Sequence, residues 1–481
     1  MRQTNLALAL LTAAVLAACS GGSTGGDQTL KTKFSAQVSF GDSLSDVGTY
    51  AVGTVAALHG GKWTINGDNT AVNATLTGKN WTELMAAQLG LPAPCPAMTG
   101  LDGAAAQGFS VAAVKHTGCF GYAQGGARVT IPYGPGNKAT GSALGALTVP
   151  VVTQVQNHLD ASGGKFKGDE LVLVMAGAND VLSQNGALAA AATKAGTDAG
   201  NAKGAQVFIG TFITELTSFL AAGATNPATA AQAIGGAGQG AVGAASVKPG
   251  ATLDSIAADI TAAMIPAAAT QPGNAAVASQ AIWGPMAVKA GADAKTAATT
   301  AGAAEGARAG AAYFATNAPA TVDAVGQAAA ELVALVKTKI IANGANYVVV
   351  NNMPDVATSP SGLGQTADVQ KLINAQVVKF NEVLSAGLAG ESKVLLVDVF
   401  AASHDQATNP GPYGLTNVST PACDLSPAKN PLGASLACNG SNLIAGDISH
   451  YSFADTVHPT PFVYWLLARY VSEKMVVKGW M

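Results

Sequence analysis

The sequence predicts an α/β fold: a parallel sheet covered by helices on both faces, interrupted by a helical insertion rich in Ala and Gly. Two observations predict the sheet. Short apolar runs bounded by turn residues recur along the chain. Stretches with helical apolar spacing lie between them, and that alternation is the pattern of buried parallel strands joined by crossover helices. A third observation predicts the insertion. Between roughly 183 and 320, Ala, Gly and Thr dominate and no strand pattern appears. Composition sets the outer limits. With 481 residues, 49% hydrophobic and only 11% charged, the chain is not a disordered polymer and can bury a sizeable core. A net charge of −3 and the lack of any Lys/Arg block leave no electrostatic footprint for nucleic acid, so none is expected as a partner.

Taken in order, residues 36–40 (AQVSF) read as a first buried strand that runs into Gly41-Asp42-Ser43. Residues 80–90 read as a helix with Asn80 as N-cap and Gly90 as its stop, and 150–160 as another. Residues 171–175 (LVLVM) are a second buried strand, feeding a loop of small residues. An amphipathic helix over 322–342 precedes a strand at 346–352 (NYVVVNN). A helix at 369–389, a strand at 393–400 (KVLLVDVF) and a closing helix at 460–478 complete the core. Inside the insertion, 213–223 and 256–269 show helical spacing, and Ala favours the helix; flexible Gly-rich joints are expected near 235–250. The insertion is a candidate lid or a candidate surface for a protein partner.

The N-terminus carries an address. Arg2 is followed by an apolar run from Leu6 to Ala18, too short to span a bilayer and suited to a secretory signal. It ends in Leu16-Ala17-Ala18-Cys19, which resembles the lipobox of bacterial lipoproteins, where the Cys thiol is lipidated. Ser20 after that Cys implies sorting to the outer membrane. No other segment reads as membrane-spanning. The expected organisation is a signal peptide (1–18), a tether (19–33), a first core part (34–182), the insertion (183–320) and a second core part (321–481). Four further cysteines, Cys95, Cys119, Cys423 and Cys438, form an even set in an exported chain and imply disulfides. Three pairings are open, of which the sequence-local one joins Cys95 to Cys119 and Cys423 to Cys438. A metal site is not expected, because there is no CxxC pair and no His at ligand spacing.

Four separated blocks carry chemistry. Gly41-Asp42-Ser43-Leu44-Ser45-Asp46 places a hydroxyl at the end of a strand, at the rim where open α/β sheets hold ligands. Asp455-Thr456-Val457-His458-Pro459 sets a carboxylate and an imidazole three apart, as on one face of a helical turn. The carboxylate can hold one ring nitrogen and leave the other as a general base. Gly177-Ala178-Asn179-Asp180 presents a side-chain amide after a strand. Tyr122-Ala123-Gln124-Gly125-Gly126-Ala127 offers an unhindered backbone N–H. Such donors are what an ester hydrolase needs where charge develops on the carbonyl oxygen. Two further matches are weak. Gly21-x-Ser23-x-Gly25 has no strand before it, and Gly238-x-Gly240-x-x-Gly243 lies in an Ala/Gly tract where such spacing arises by chance.

Together these blocks resemble those of the GDSL, or SGNH, hydrolase family. GDSL stands at 41–44, GxND at 177–180 and DxxHP at 455–459. The similarity covers most of the chain except the insertion and parts of 95–120 and 402–445. Relatives often have Asn opening the second block, where this chain has Gly121. The resemblance implies a three-layer α/β/α sandwich with a flavodoxin-like parallel sheet of about five strands. It implies Ser43 as nucleophile, His458 as base and Asp455 as its orienting acid. Ser43, Gly126 and Asn179 are implied as oxyanion donors, with Gly125 as the alternative if the register slips by one. It implies no cofactor. The expected substrate is an ester or lipid, handled by a lipase, esterase or phospholipase type of enzyme anchored through Cys19. A carbohydrate O-deacetylase of the same family and a non-catalytic surface-adhesion lipoprotein are the alternatives.

Overall fold

The computed structural model describes residues 32–67, 76–246 and 248–481. The signal segment, Cys19 and residues 19–31 of the tether lie outside them. Among the described residues six strands are formed: β1 Gln37–Gly41, β2 Met98–Asp102, β3 Ser110–Lys115, β4 Leu171–Met175, β5 Tyr347–Asn351 and β6 Val394–Val397. The main helices are α1 Trp81–Gln88, α2 Val151–Ala161, α3 Ala178–Ala221, α4 Pro227–Ser246, α5 Leu253–Ala269, α6 Gln280–Leu335, α7 Ala367–Leu388, α8 Val399–Thr408 and α9 Pro461–Lys478. The protein is a mixed α/β structure.

Its central sheet is parallel, in the order β1-β4-β5-β6, with Phe40 beside Val174, Val174 beside Val350 and Val350 beside Leu396. Alternate residues go to opposite faces. Val38, Val172, Val174, Val348 and Val350 pack with α2, α7 and the end of α6. Leu171, Leu173, Val349 and Val397 pack with α1 and α9. A separate antiparallel hairpin joins β2 to β3.

Among the described residues the sheet has four strands where about five were expected. The segment at 120–124 takes the place beside β1 without completing a strand. Ser39 donates its N–H to Phe120 O (3.0 Å), Tyr122 N–H to Ser39 O (2.8 Å) and Gln124 N–H to Gly41 O (3.1 Å). The next rung is missing because Gly41 N–H goes instead to Gln154 Oε1, at 2.8 Å.

Other boundaries differ for local reasons. The strand expected over 393–400 stops at Val397, because the Asp398 carboxylate accepts from Ala401 N–H and caps α8. The flexible joints expected near 235–250 are largely helical, with α4 running to Ser246. Ala carries the helix propensity there, and Gly238 is packed against Met264 and Ile213.

The insertion is a helical arm that leaves the sheet at the rim following β4. The last turns of α6 (Val325, Ala328, Ala329, Leu332) cover the sheet. Beyond the rim, α3 and α6 run antiparallel through facing glycines. A Cβ at Gly196 would lie 2.7 Å from Gly306 O, and one at Gly200 2.7 Å from Gly302 O, so only glycine permits this approach. The arm ends in a second core built from Phe208, Phe212, Leu216, Ile234, Ile260 and Met264. At 1.5 Å per residue, the path along α3 from the sheet core at Val181 to Phe208 is about 40 Å. Contrary to the sequence reading, α3 is long and apolar enough to cross a membrane by length and composition.

Candidate active site

Ser43 opens a single 3₁₀ turn, Ser43–Ser45, immediately after β1. Two features put it there. Gly41 has φ +146°, and a Cβ would fall 2.0 Å from Met175 O, so the strand end requires glycine. The Gln154 side chain, from α2, accepts from Gly41 N–H and donates to Gly41 O, both at 2.8 Å. Asp42 caps the turn by accepting from Leu44 N–H at 3.1 Å. Burial pushes its carboxyl up to about 7, against the opposing pull of the Leu44 N–H.

The imidazole of His458 meets this turn. Its Nε2 lies 2.9 Å from Ser43 Oγ, and its Nδ1 lies 2.8 Å from Asp455 Oδ2 and 2.9 Å from Oδ1. Asp455 and His458 are not on a helical turn, as their spacing suggested. They sit on an Asx-type turn in which Asp455 Oδ1 accepts from Val457 N–H (2.9 Å) and His458 N–H (2.7 Å). A short hairpin closes it, Ala454 N–H donating to His458 O at 2.8 Å. Burial alone would raise the Asp455 pKa. The facing imidazole and the N–H donors, including Ser435 N–H at 2.7 Å, outweigh it and hold the carboxylate well below its ordinary range. It is therefore an anion at neutral pH, which fixes the proton on Nδ1 and leaves Nε2 to face the hydroxyl.

The disulfides brace these loops. The pairings left open by the sequence resolve as Cys95–Cys119 and Cys423–Cys438. Cys423 N–H donates to Ala454 O (3.0 Å), beside Asp455, and Cys95 O accepts from Gly121 N–H (3.1 Å), which leads into the Gly125–Gly126 loop.

That loop supplies a donor. Gly125 N–H is engaged by Asp46 Oδ2 at 2.9 Å. Gly126 N–H and Ser43 N–H have no acceptor among the described residues. Of the two glycines, the geometry therefore leaves Gly126 free to donate. Asn179 lies in the first turn of α3, where its Nδ2 donates to Ala127 O at 3.0 Å, leaving its second N–H available. The neighbouring Asp180 ties the loop to the same helix, accepting from Arg128 Nε (2.9 Å) and Val129 N–H (3.1 Å).

Ser43, Gly126, Asn179 and His458 line one cavity of about 260 Å³. Its other walls are mainly apolar, including Leu44, Met175, Leu182, Val399, Val463 and Leu467. Thus the structure brings together all five residues singled out from the motifs. The sequence reading missed Gln154 and Ser435, which hold the site from outside the motifs, and gave no role to Asp46, which stands in the first block. No family model matches the chain, and no curated protein matches it.

Proposed function

We propose that this chain is a serine ester hydrolase of the GDSL/SGNH type, acting on esters with an apolar acyl chain. The observation that carries the reading is the continuous contact chain from Asp455 through His458 to Ser43, with hydrogen-bond donors on the same cavity. In the proposed reaction, His458 Nε2 takes the Ser43 proton as Oγ attacks the ester carbonyl carbon. Asp455 holds the imidazolium that results. The carbonyl oxygen becomes an anion held by Ser43 N–H, Gly126 N–H and the Asn179 amide. His458 returns the proton to the leaving alcohol. Water, deprotonated by the same imidazole, then hydrolyses the acyl-enzyme and regenerates Ser43.

The apolar walls favour an acyl chain over a sugar, which would need hydrogen-bonding partners around it. In this reading the sheet is the flavodoxin-like one of a three-layer sandwich, with segment 120–124 as a vestigial edge strand in the fifth place. The lipid anchor at Cys19 would hold the enzyme at the outer membrane, and the arm would offer a surface to a protein partner. The test is covalent labelling with a fluorophosphonate, followed by peptide mapping, together with hydrolysis of p-nitrophenyl esters from acetate to long chains. Labelling at Ser43, its loss in Ser43→Ala with an unchanged thermal melt, and preference for longer chains are expected. Labelling or full activity in Ser43→Ala would refute the assignment.

A further inference from the structure

The proton relay leaves one close neighbour of the base without a role. The indole of Trp63 lies against the imidazole of His458, with ring centroids 4.7 Å apart and planes tilted by 34°. Trp63 also lines the cavity. The oxyanion loop is shaped around it. A Cβ at position 125 would come 2.2 Å from Trp63 Nε1, so the chain can pass here only as glycine. That buried Nε1 has no acceptor among the described residues, so the indole is held by packing and by its backbone. Tyr50 packs edge-on at 6.4 Å and donates its hydroxyl to Gly125 O at 2.7 Å. Tyr464 donates its hydroxyl to Trp63 O at 3.1 Å. Thr64 Oγ1 donates to Pro459 O, next to the base, at 3.0 Å.

We propose that Trp63 is a positioning residue for the base. Its π face stabilises the imidazolium that forms when His458 takes the Ser43 proton, and its wedge between His458 and Gly125 keeps base and oxyanion loop in register. The inference rests on the Ser43–His458–Asp455 reading. The physical reason is the ring quadrupole. A cation within about 6 Å of an indole face is attracted to it, most strongly where water is kept out, whereas a neutral imidazole gains little. The stabilisation therefore favours the charged intermediate over the resting state, which is the condition for lowering a barrier.

The experiment follows the rate of fluorophosphonate labelling at Ser43 against pH, in the wild type, Trp63→Phe and Trp63→Leu. Leu keeps an apolar wall without a π face, and Phe keeps a face. The titratable carboxyls near the imidazole, Asp455 on Nδ1 and Asp42 behind Ser43, are untouched in both variants. In Trp63→Leu the acid limb of the profile should move to lower pH by about 0.5–1 unit, and the plateau rate should fall several-fold. Trp63→Phe should stay close to the wild type. If Trp63→Leu fails to fold, Trp63→Met carries the same comparison. A limb that stays in place in the Leu or Met variant, or that moves equally in Phe, would overturn the role of Trp63 alone. Absence of any Ser43 adduct in the wild type would overturn the underlying active-site reading instead.

Discussion

His158 offers a test of the core that supports the site. It lies on α2, completely buried, and neither ring nitrogen has a hydrogen-bond partner among the described residues. Four aromatic rings enclose it: Phe166 at 4.5 Å, Tyr122 at 5.4 Å, Phe40 at 5.8 Å and Phe120 at 6.0 Å. Burial pushes its pKa down from 6.5 to about 4, and Lys167 adds in the same direction. The folded protein therefore keeps His158 neutral down to about pH 4, while the unfolded chain takes up the proton near 6.5. Between these values the unfolded state binds more protons, so stability falls as pH falls. The interval of about 2.5 pH units corresponds to roughly 3 kcal/mol. His158→Phe removes the titration and leaves an aromatic ring in an aromatic cage. Urea unfolding, followed by tryptophan fluorescence, should show the variant gaining about 3 kcal/mol over the wild type between pH 7 and pH 4. The difference between the two proteins is the quantity to read, because other groups titrate in the same range. Parallel curves would refute the reasoning, since they require a folded His158 that is solvated or hydrogen-bonded.

Three further outcomes follow from the site. Asn179→Ala should lower kcat about 10²–10³-fold with little change in KM, and a change confined to KM would contradict an oxyanion role. Asp455→Asn should keep the loop's N–H acceptor but lose the anion that fixes the Nδ1 proton. A fall in kcat of about 10³–10⁴ is expected, and a fall below tenfold would remove Asp455 from the relay. Asp42 titrates oppositely to His158. Its folded pKa is raised from 3.8 to about 7, so the folded state holds a proton the unfolded chain has lost, and stability falls as pH rises through that window. Asp42→Asn should gain about 4 kcal/mol over the wild type between pH 4 and pH 7 in the same urea assay; an unchanged difference would mean that Asp42 ionises normally in the fold.

The core strands were legible because each is a short apolar run ending at a residue with backbone meaning. Gly41 closes β1, and the LVLVM run ends before Gly177, whose φ of +118° starts α3. Helix α1 was legible to its caps: Asn80 and Glu83 form the capping box, and Gly90 follows in a left-handed conformation. Ser43, Asp455 and His458 were legible as candidate site residues because their motifs are local in sequence. What holds them is not. Gln154 reaches Gly41 across more than a hundred residues, and Ser435 reaches Asp455 from a disulfide-bound loop, contacts that no periodicity encodes. The arm was only half legible. Pro285 and Pro319 would each predict a break, yet both lie inside the 56-residue α6. Pairing of α6 with α3 overrides the local preference, as tertiary packing often does.

That pairing also bears on what the arm can do. A lid needs a hinge close to the cavity it covers, usually a few loop residues that absorb the change in φ and ψ. Here Asn179 and Leu182, which line the cavity, belong to the first turns of α3, and the helix continues unbroken to Ala221. The returning helix is equally continuous down to the sheet, and Asn185 Nδ2 and Gln376 Nε2 link α3, α7 and Thr321 of α6 at the base by hydrogen bonds of 2.9 and 2.8 Å. Swinging the distal core over the cavity would require bending both helices together and opening the glycine contacts between them. Each glycine in a helix interior costs about 1 kcal/mol relative to Ala. The sequence accepts that cost at Gly196, Gly200, Gly302 and Gly306, where the close backbone approach leaves no room for a side chain. Such a stripe stiffens the pair, and it roots the arm in the same helix turn that holds the Asn179 amide. The physical reading is a fixed projection beside the site rather than a moving cover.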